Sequence, residues 1–358
     1  MVECAVHDLD KRGYRQVRDA EQLEALIDGQ SRADGMKYLF IDEIQNVRGF
    51  EEVINAFRGE GSYSIFITGS NSYLLSGELV TKLTGRYVEF EMFPLTLDEF
   101  IAMKAFYGKP VPTDRLEMLN QYIREGGFPR AIFLDKAEDK QTYVQSIIEE
   151  IFAKDIQKRV KIRDRDAFAR VQNYIINNFG ATMSINSLSQ ALHKHGIRMG
   201  RMTISRYIQA LTDAKILYPC DRFDMKSRKA LSGEKKYYLS DLSFFFAQNT
   251  DNRINYGPVL ENIVCIYARS MNYRVSVGRI GKLECDFILR GRNMNYHYLQ
   301  IAYTILASRD TEEREYRALE AIQDNYSKYV MTTDALLQKR NGIHHVNLVD
   351  FMKNSMRF

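Results

Sequence analysis

Cysteine is scarce in this chain, and what there is lies scattered. Cys4, Cys220, Cys265 and Cys285 are the four cysteines of 358 residues. They form no C-x-x-C pair and have no histidine at zinc-ligand spacing. Neither a disulfide framework nor a structural zinc site is therefore expected, and the thiols read as buried groups in a reducing compartment. No stretch reaches the roughly 18 consecutive apolar residues of a membrane-spanning helix, and the N-terminus lacks a basic region followed by an apolar run. These absences predict a cytoplasmic protein with no membrane partner. With 45% apolar and 27% charged residues, the chain is neither disordered nor fibrous. At roughly 100–200 residues per domain, its length predicts two or three domains.

Acidic residues are sparse in one region only. Residues 154–236 carry 18 Lys and Arg against 7 Asp and Glu, a net of +11, so with +4 overall the remainder carries −7. A basic middle between acidic ends predicts a polyanion partner, DNA above all, with a solvated basic surface as the alternative.

In the first third, residues 2–7, 38–41, 64–68 and 87–90 read as strands, with 21–27 and 50–57 helical between them. That alternation predicts a parallel sheet with crossover helices. The run Tyr38-Leu39-Phe40-Ile41 delivers Asp42 and Glu43 to a strand's C-terminal end, where open α/β sheets place their ligands. This is a Walker B pattern, in which Asp42 holds the water shell of Mg²⁺ and Glu43 orients or deprotonates the water attacking a γ-phosphate. An Asp-Glu pair after an apolar strand is as often only a helix N-cap. The next strand runs into Gly69-Ser70-Asn71-Ser72, with Asn71 the candidate sensor of the γ-phosphate. Arg86 precedes residues 87–90, where it would reach a nucleotide held by this or a neighbouring subunit of a homo-oligomer, or form a structural ion pair.

Three ordered runs carry a family resemblance: Leu39-Phe40-Ile41-Asp42-Glu43-Ile44-Gln45-Asn46-Val47, then Ile67-Thr68-Gly69-Ser70-Asn71-Ser72, then Leu83-Thr84-Gly85-Arg86 with Phe93-Pro94-Leu95. With these the chain resembles bacterial and archaeal AAA-type predicted ATPases that carry a C-terminal DUF4143 domain. The resemblance implies ATP and Mg²⁺ as cofactors and a three-part α/β architecture: a P-loop NTPase-like parallel sheet, a winged helix, and a restriction-endonuclease-like α/β domain. One expected feature is missing. Neither Gly-Lys pair, Gly108-Lys109 or Gly281-Lys282, is followed by Ser or Thr, so no G-x-x-x-x-G-K-[ST] loop is present to cradle phosphates. The sheet is therefore expected to be incomplete, with an open edge and an uncovered apolar face, and this chain alone is expected not to hydrolyse ATP.

The expected domains are 1–135 (AAA-type, with a small helical lid), 136–165 (a helical connector with one long helix over 142–159), 166–245 (winged helix) and 246–358 (nuclease-like). In the third, helices at 171–178, 187–194 and 203–214 precede a hairpin of 217–223 and 235–239. The last helix buries Ile204, Ile208 and Leu211. It would present Arg201, Ser205, Arg206 and Gln209 to DNA, while Lys226, Arg228, Lys229, Lys235 and Lys236 on the wing grip phosphates. Winged helices also dock proteins, so a non-catalytic interaction module is an alternative. The last domain resembles the PD-(D/E)xK nucleases, which implies a metal set of Glu261, Asp286 and Gln300. Ala302 stands where the resemblance calls for a lysine, which predicts a damaged Mg²⁺-dependent nuclease site, with Glu284 a substitute ligand.

Overall fold

The computed structural model describes residues 3–30, 35–69, 85–157, 160–227, 229–249 and 253–358. The candidate residues Asn71 and Arg228 lie outside these. The chain divides into two compact units, Met1–Phe90 with Lys154–Arg159, and Glu91–Ala153 with Val160–Phe358.

The first unit runs β1 (Glu3–Asp8), α1 (Ala20–Gln30), β2 (Lys37–Asp42), α2 (Phe50–Gly59), β3 (Tyr63–Ile67). Its strands form a parallel sheet in the order β1-β2-β3. Because side chains alternate across a strand, Leu39 and Ile41 face one way and pack with Leu23, Ile27, Phe50, Val53 and Phe57 into a core. On the strands' alternate positions Val6, Tyr38 and Phe66 stay exposed, and Phe40 stacks on Phe66 with ring centroids 4.6 Å apart. Among the described residues these positions face solvent. Residues 87–90, in contrast, form no strand. Their alternation suits a sheet, but an extended segment becomes a strand only against a neighbour's free edge, and Val88 and Phe90 remain 78% and 80% exposed.

The second unit opens with α3 (Leu97–Phe106), α4 (Arg115–Glu125) and α5 (Ala137–Ile151). The helix expected over 142–159 is α-helical only to Ile151 and continues with π-type bonding over Phe152–Ile156. Next come α6 (Arg165–Asn177), β4 (Thr182–Ser184), α7 (Ile185–Lys194), α8 (Arg201–Asp213), β5 (Leu217–Asp224) and β6 (Lys229–Leu239). The starts of α4, α6 and α7 follow from capping side chains. Asp114, Asp164 and Ser184 each accept a hydrogen bond from the backbone N–H three residues on, satisfying a donor the helix leaves unpaired. The remainder is α9 (Ser243–Gln248), α10 (Tyr256–Ser270), β7 (Arg274–Ile280), β8 (Leu283–Arg290), β9 (Tyr296–Ile301), α11 (Arg309–Glu320), β10 (Ser327–Thr332), β11 (Lys339–Arg340), β12 (Ile343–Asn347) and α12 (Leu348–Lys353).

Among the described residues nine strands of this unit form one sheet, ordered β11-β12-β10-β9-β8-β7-β5-β6-β4. The β5–β6 hairpin, expected as a wing, is therefore built into the C-terminal sheet: β5 pairs in parallel with β7 from Arg222↔Val277 to Asp224↔Arg279. Lys236 is drawn inward by this continuity. Among the described residues no helix is long and apolar enough to cross a membrane. Cys220, Cys265 and Cys285 are buried free thiols, and burial raises the pKa of each.

Candidate nucleotide and nucleic-acid sites

The parallel register Asp8↔Asp42 brings two carboxylate-bearing strand ends to one edge of the first sheet. Asp42 closes β2, and Glu43 follows in the left-handed region at φ 56°, a conformation that costs a non-glycine residue about 1 kcal/mol. Thr68, one residue beyond β3, holds this turn. Its hydroxyl donates to Asp42 Oδ1, it accepts from the Glu43 N–H at 3.3 Å, and its carbonyl accepts from the Ile44 N–H at 3.1 Å. The Gln45 amide donates to Glu43 Oε2, and the Asn46 amide donates to Asp10 Oδ1 at 3.0 Å. Burial first, then the charges of Asp10 and Asp42, raises the Glu43 pKa against the opposing bond from Gln45. A raised carboxylate is a stronger base once ionised. Thr68 and Asp10 were not singled out from sequence. The detectable signal is that Asp8-Leu9-Asp10 follows an apolar strand parallel to the one carrying Asp42.

These residues fit the metal half of a Mg²⁺–ATP site and not the phosphate half. Asp42 Oδ1 is engaged by the Thr68 hydroxyl, and Glu43 Oε2 by the Gln45 amide. No three His, Cys, Asp or Glu side chains among the described residues are grouped to hold a metal, so Mg²⁺ here would draw its other ligands from phosphate and water. Arg86 is exposed, and its guanidinium donates to Asn55 Oδ1 on α2 at 3.4 Å.

The carboxylates of the C-terminal sheet meet an internal cation. Lys236, expected on the wing, is 6% exposed, and its ammonium lies 3.1 Å from Glu261 and 3.0 Å from Glu284. Its position on β6 turns it inward, so it cannot grip a DNA backbone from there. Burial alone would depress the Lys236 pKa, but the charges of Glu261, Glu284 and Asp286 outweigh burial and raise it. Tyr238 OH donates to Glu261 at 2.7 Å, and Arg222 bridges Glu234 and Glu284, the latter at 3.0 Å. Asp286 is buried and accepts the Ile301 N–H at 2.7 Å. Burial foremost, with the Glu261 charge, lifts its pKa well above the ordinary carboxylate value. Next to Glu261, the Asn262 amide exchanges two hydrogen bonds with the Leu239 backbone, at 2.7 and 2.9 Å. Glu261 and Asn262 thus bind α10 to β6. Gln300 points a buried carbonyl oxygen that has no partner.

On α8 the faces divide as the 3.6-residue period predicts. Ile204, Ile208 and Leu211 are buried, while Arg201, Ser205, Arg206 and Gln209 are exposed. Among the described residues Arg201 and Arg206 make no ion pair, whereas Gln209 is bonded to Asp213 at 2.7 Å. On the hairpin Lys226 and Lys229 are exposed, and Lys235 pairs with Asp221 at 2.9 Å.

Residues 2–101, which hold the parallel sheet and the Asp42–Glu43 turn, match the family model described as an AAA domain. Residues 116–253 match a domain of unknown function, DUF8612, a different domain from the DUF4143 of the sequence resemblance. The chain belongs to the same family as an uncharacterized protein of Haemophilus influenzae. The two are 32% identical over 341 residues, spanning 95% of this chain and 83% of that one. An uncharacterized protein of Methanocaldococcus jannaschii is 30% identical over 298 residues, 80% of this chain and 66% of its own. Among solved structures, a Walker-type ATPase of Pyrococcus abyssi aligns over 63% of this chain and 66% of its own at 12% identity and TM-score 0.41. The Aeropyrum pernix ORC1 protein in complex with DNA aligns over 70% and 78% at 13% identity and TM-score 0.29.

Proposed function

We propose that this protein is a DNA-binding member of the AAA class, in which α6–α8 and the β5–β6 hairpin act as a winged helix and α8 enters the major groove. The observation that carries this reading is the outward face of α8, where Arg201 and Arg206, exposed and without an ion pair among the described residues, stand beside Ser205 within the basic stretch of the chain. Unpaired guanidiniums on an exposed helix are suited to phosphates and base edges, because no internal bond must break before they bind. Lys226 and Lys229 would add backbone contacts.

In this reading Asp42 and Glu43 are the hydrolytic half of the ATP site, Arg86 a finger offered to a neighbouring subunit, and Asn71 the γ-phosphate sensor. Without the lysine and amides of a phosphate cradle, the 358-residue chain by itself would not turn over ATP.

The test is duplex DNA binding as a function of salt. Binding should weaken steeply with salt, and Arg201→Ala and Arg206→Ala should each reduce the slope by about one phosphate contact. Unchanged DNA binding in the double variant would sink the assignment of α8, and no binding at low salt would favour a protein-docking module. ATP turnover by this chain equal to that of Glu43→Gln would support the incomplete-site reading, and turnover that Glu43→Gln abolishes would refute it.

A further inference from the structure

A cavity of about 580 Å³ opens in the second unit between α5, α6 and α9, within the size range of small-molecule sites. Its floor is apolar: Ile148 on α5, Phe152 just beyond it and Phe168 on α6 are all buried. Two charged residues line it, Glu149 and Arg165, and they pair with each other. The Arg165 guanidinium is also held over the Phe152 ring, 4.8 Å from its centroid. The lining thus carries no net charge, which suits an uncharged ligand better than a phosphate or a carboxylate.

Several polar groups of the wall are spent inside the fold. The Thr142 and Ser146 hydroxyls donate to the carbonyls of Glu138 and Tyr143 at 2.9 and 2.7 Å, and the Gln145 amide donates to the Ala247 carbonyl at 2.8 Å. Gln172 differs. It lies one turn beyond Phe168 on the same face of α6, lines the cavity, is only 6% exposed and makes no side-chain hydrogen bond among the described residues. Its amide keeps accessible surface, whereas the Gln248 oxygen nearby is sealed. An amide in apolar surroundings is costly until something supplies both an acceptor for its NH₂ and a donor for its carbonyl.

We propose that this cavity binds an uncharged purine carrying an exocyclic amino group. The Gln172 carbonyl accepts from that amino group while its NH₂ donates to the adjacent ring nitrogen, the two-bond pairing by which a glutamine side chain reads adenine. The apolar floor takes the ring system, and the neutral lining favours a base or nucleoside over a nucleotide. The site shares no residue with the Asp42–Glu43 turn or with the outward face of α8.

The experiment is calorimetric titration of the full chain with adenosine and with purine riboside, which lacks the amino group. Adenosine should bind, and purine riboside should bind about tenfold more weakly, a difference of about 1.4 kcal/mol. Gln172→Leu should weaken adenosine at least as much, yet melt no lower than the parent, because it removes a buried amide that has no partner. Ala169→Phe, at an exposed position on the cavity wall, should block adenosine with Gln172 left in place. Absence of adenosine binding, equal affinity for the two nucleosides, adenosine affinity unchanged in either variant, or a lowered melting temperature of Gln172→Leu would overturn the proposal.

Discussion

The ammonium of Lys236 on β6 lies 3.1 Å from the carboxylate of Glu261 on α10, joining two segments that the sequence assigns to different domains. The same ammonium reaches Glu284 on β8 at 3.0 Å. A lysine read as a DNA contact is thereby the internal counter-ion of carboxylates read as metal ligands. One ion-pair network takes up both functional expectations.

Removing that cation should be severe. Lys236→Met strands Glu261 with no compensating charge, and breaking a buried pair from one side costs about 3–5 kcal/mol. Adding Glu261→Gln should recover part of the loss, because the stranded charge goes with it. Urea denaturation of both variants measures this, and a double variant no more stable than Lys236→Met would mean that the pair is uncoupled.

Asp286 predicts a pH dependence of known sign. Its folded pKa is raised, chiefly by burial, so between the unfolded value near 3.9 and the folded value the native state binds more protons than the unfolded one. Stability then falls as pH rises through that window. Asp286→Asn keeps an oxygen for the Ile301 N–H and removes the proton. Its melting temperature should lose this component of the pH slope, and an unaltered slope would assign the titration to another group.

The Gly126-Gly127 turn docks on Asp241, whose carboxylate accepts the Gly127 N–H at 2.6 Å. Gly126 has φ +73°, and a Cβ there would sit 2.1 Å from Asp241 Oδ1. Gly126→Ala combines left-handed strain with overpacking and should destabilise by roughly 2–4 kcal/mol. Gly59→Ala, at the last residue of α2 with open space around it, should be neutral or stabilising by about 0.5–1 kcal/mol. Thermal denaturation compares the two, and an equal loss in both would contradict the account of the turn.

At Glu43 the backbone and side-chain contributions separate in one comparison. Glu43→Gly and Glu43→Ala lose the same bond to Gln45, and only glycine relieves φ 56°. The glycine variant should be the more stable by about 1 kcal/mol. Equal stability would show that the turn relaxes when the side chain is cut.

Much of the fold could be read from local pattern. The faces of α8 follow from the spacing of Ile204, Ile208 and Leu211, whereas α6 and α7 begin at Arg165 and Ile185, ahead of the expected 171 and 187, at the capping residues Asp164 and Ser184. The Asp42–Glu43 turn follows from a four-residue apolar strand running into two carboxylates. Each depends on residues within a few positions of one another, so side-chain period and capping chemistry suffice.

The fate of residues 87–90 and of Lys236 depended on partners far along the chain. Residues 87–90 have a strand's alternation, but pairing requires a free neighbouring edge. Lys235 and Lys236 are indistinguishable in composition, yet pleating sends one toward solvent and Asp221 and turns the other to Glu261 and Glu284, 25 and 48 residues away. The sequence by itself determined which faces of the helices and strands are apolar, because the side-chain period is a short-range property. Only the tertiary structure decided which charges meet, because an ion pair is set by position in space and not by spacing along the chain.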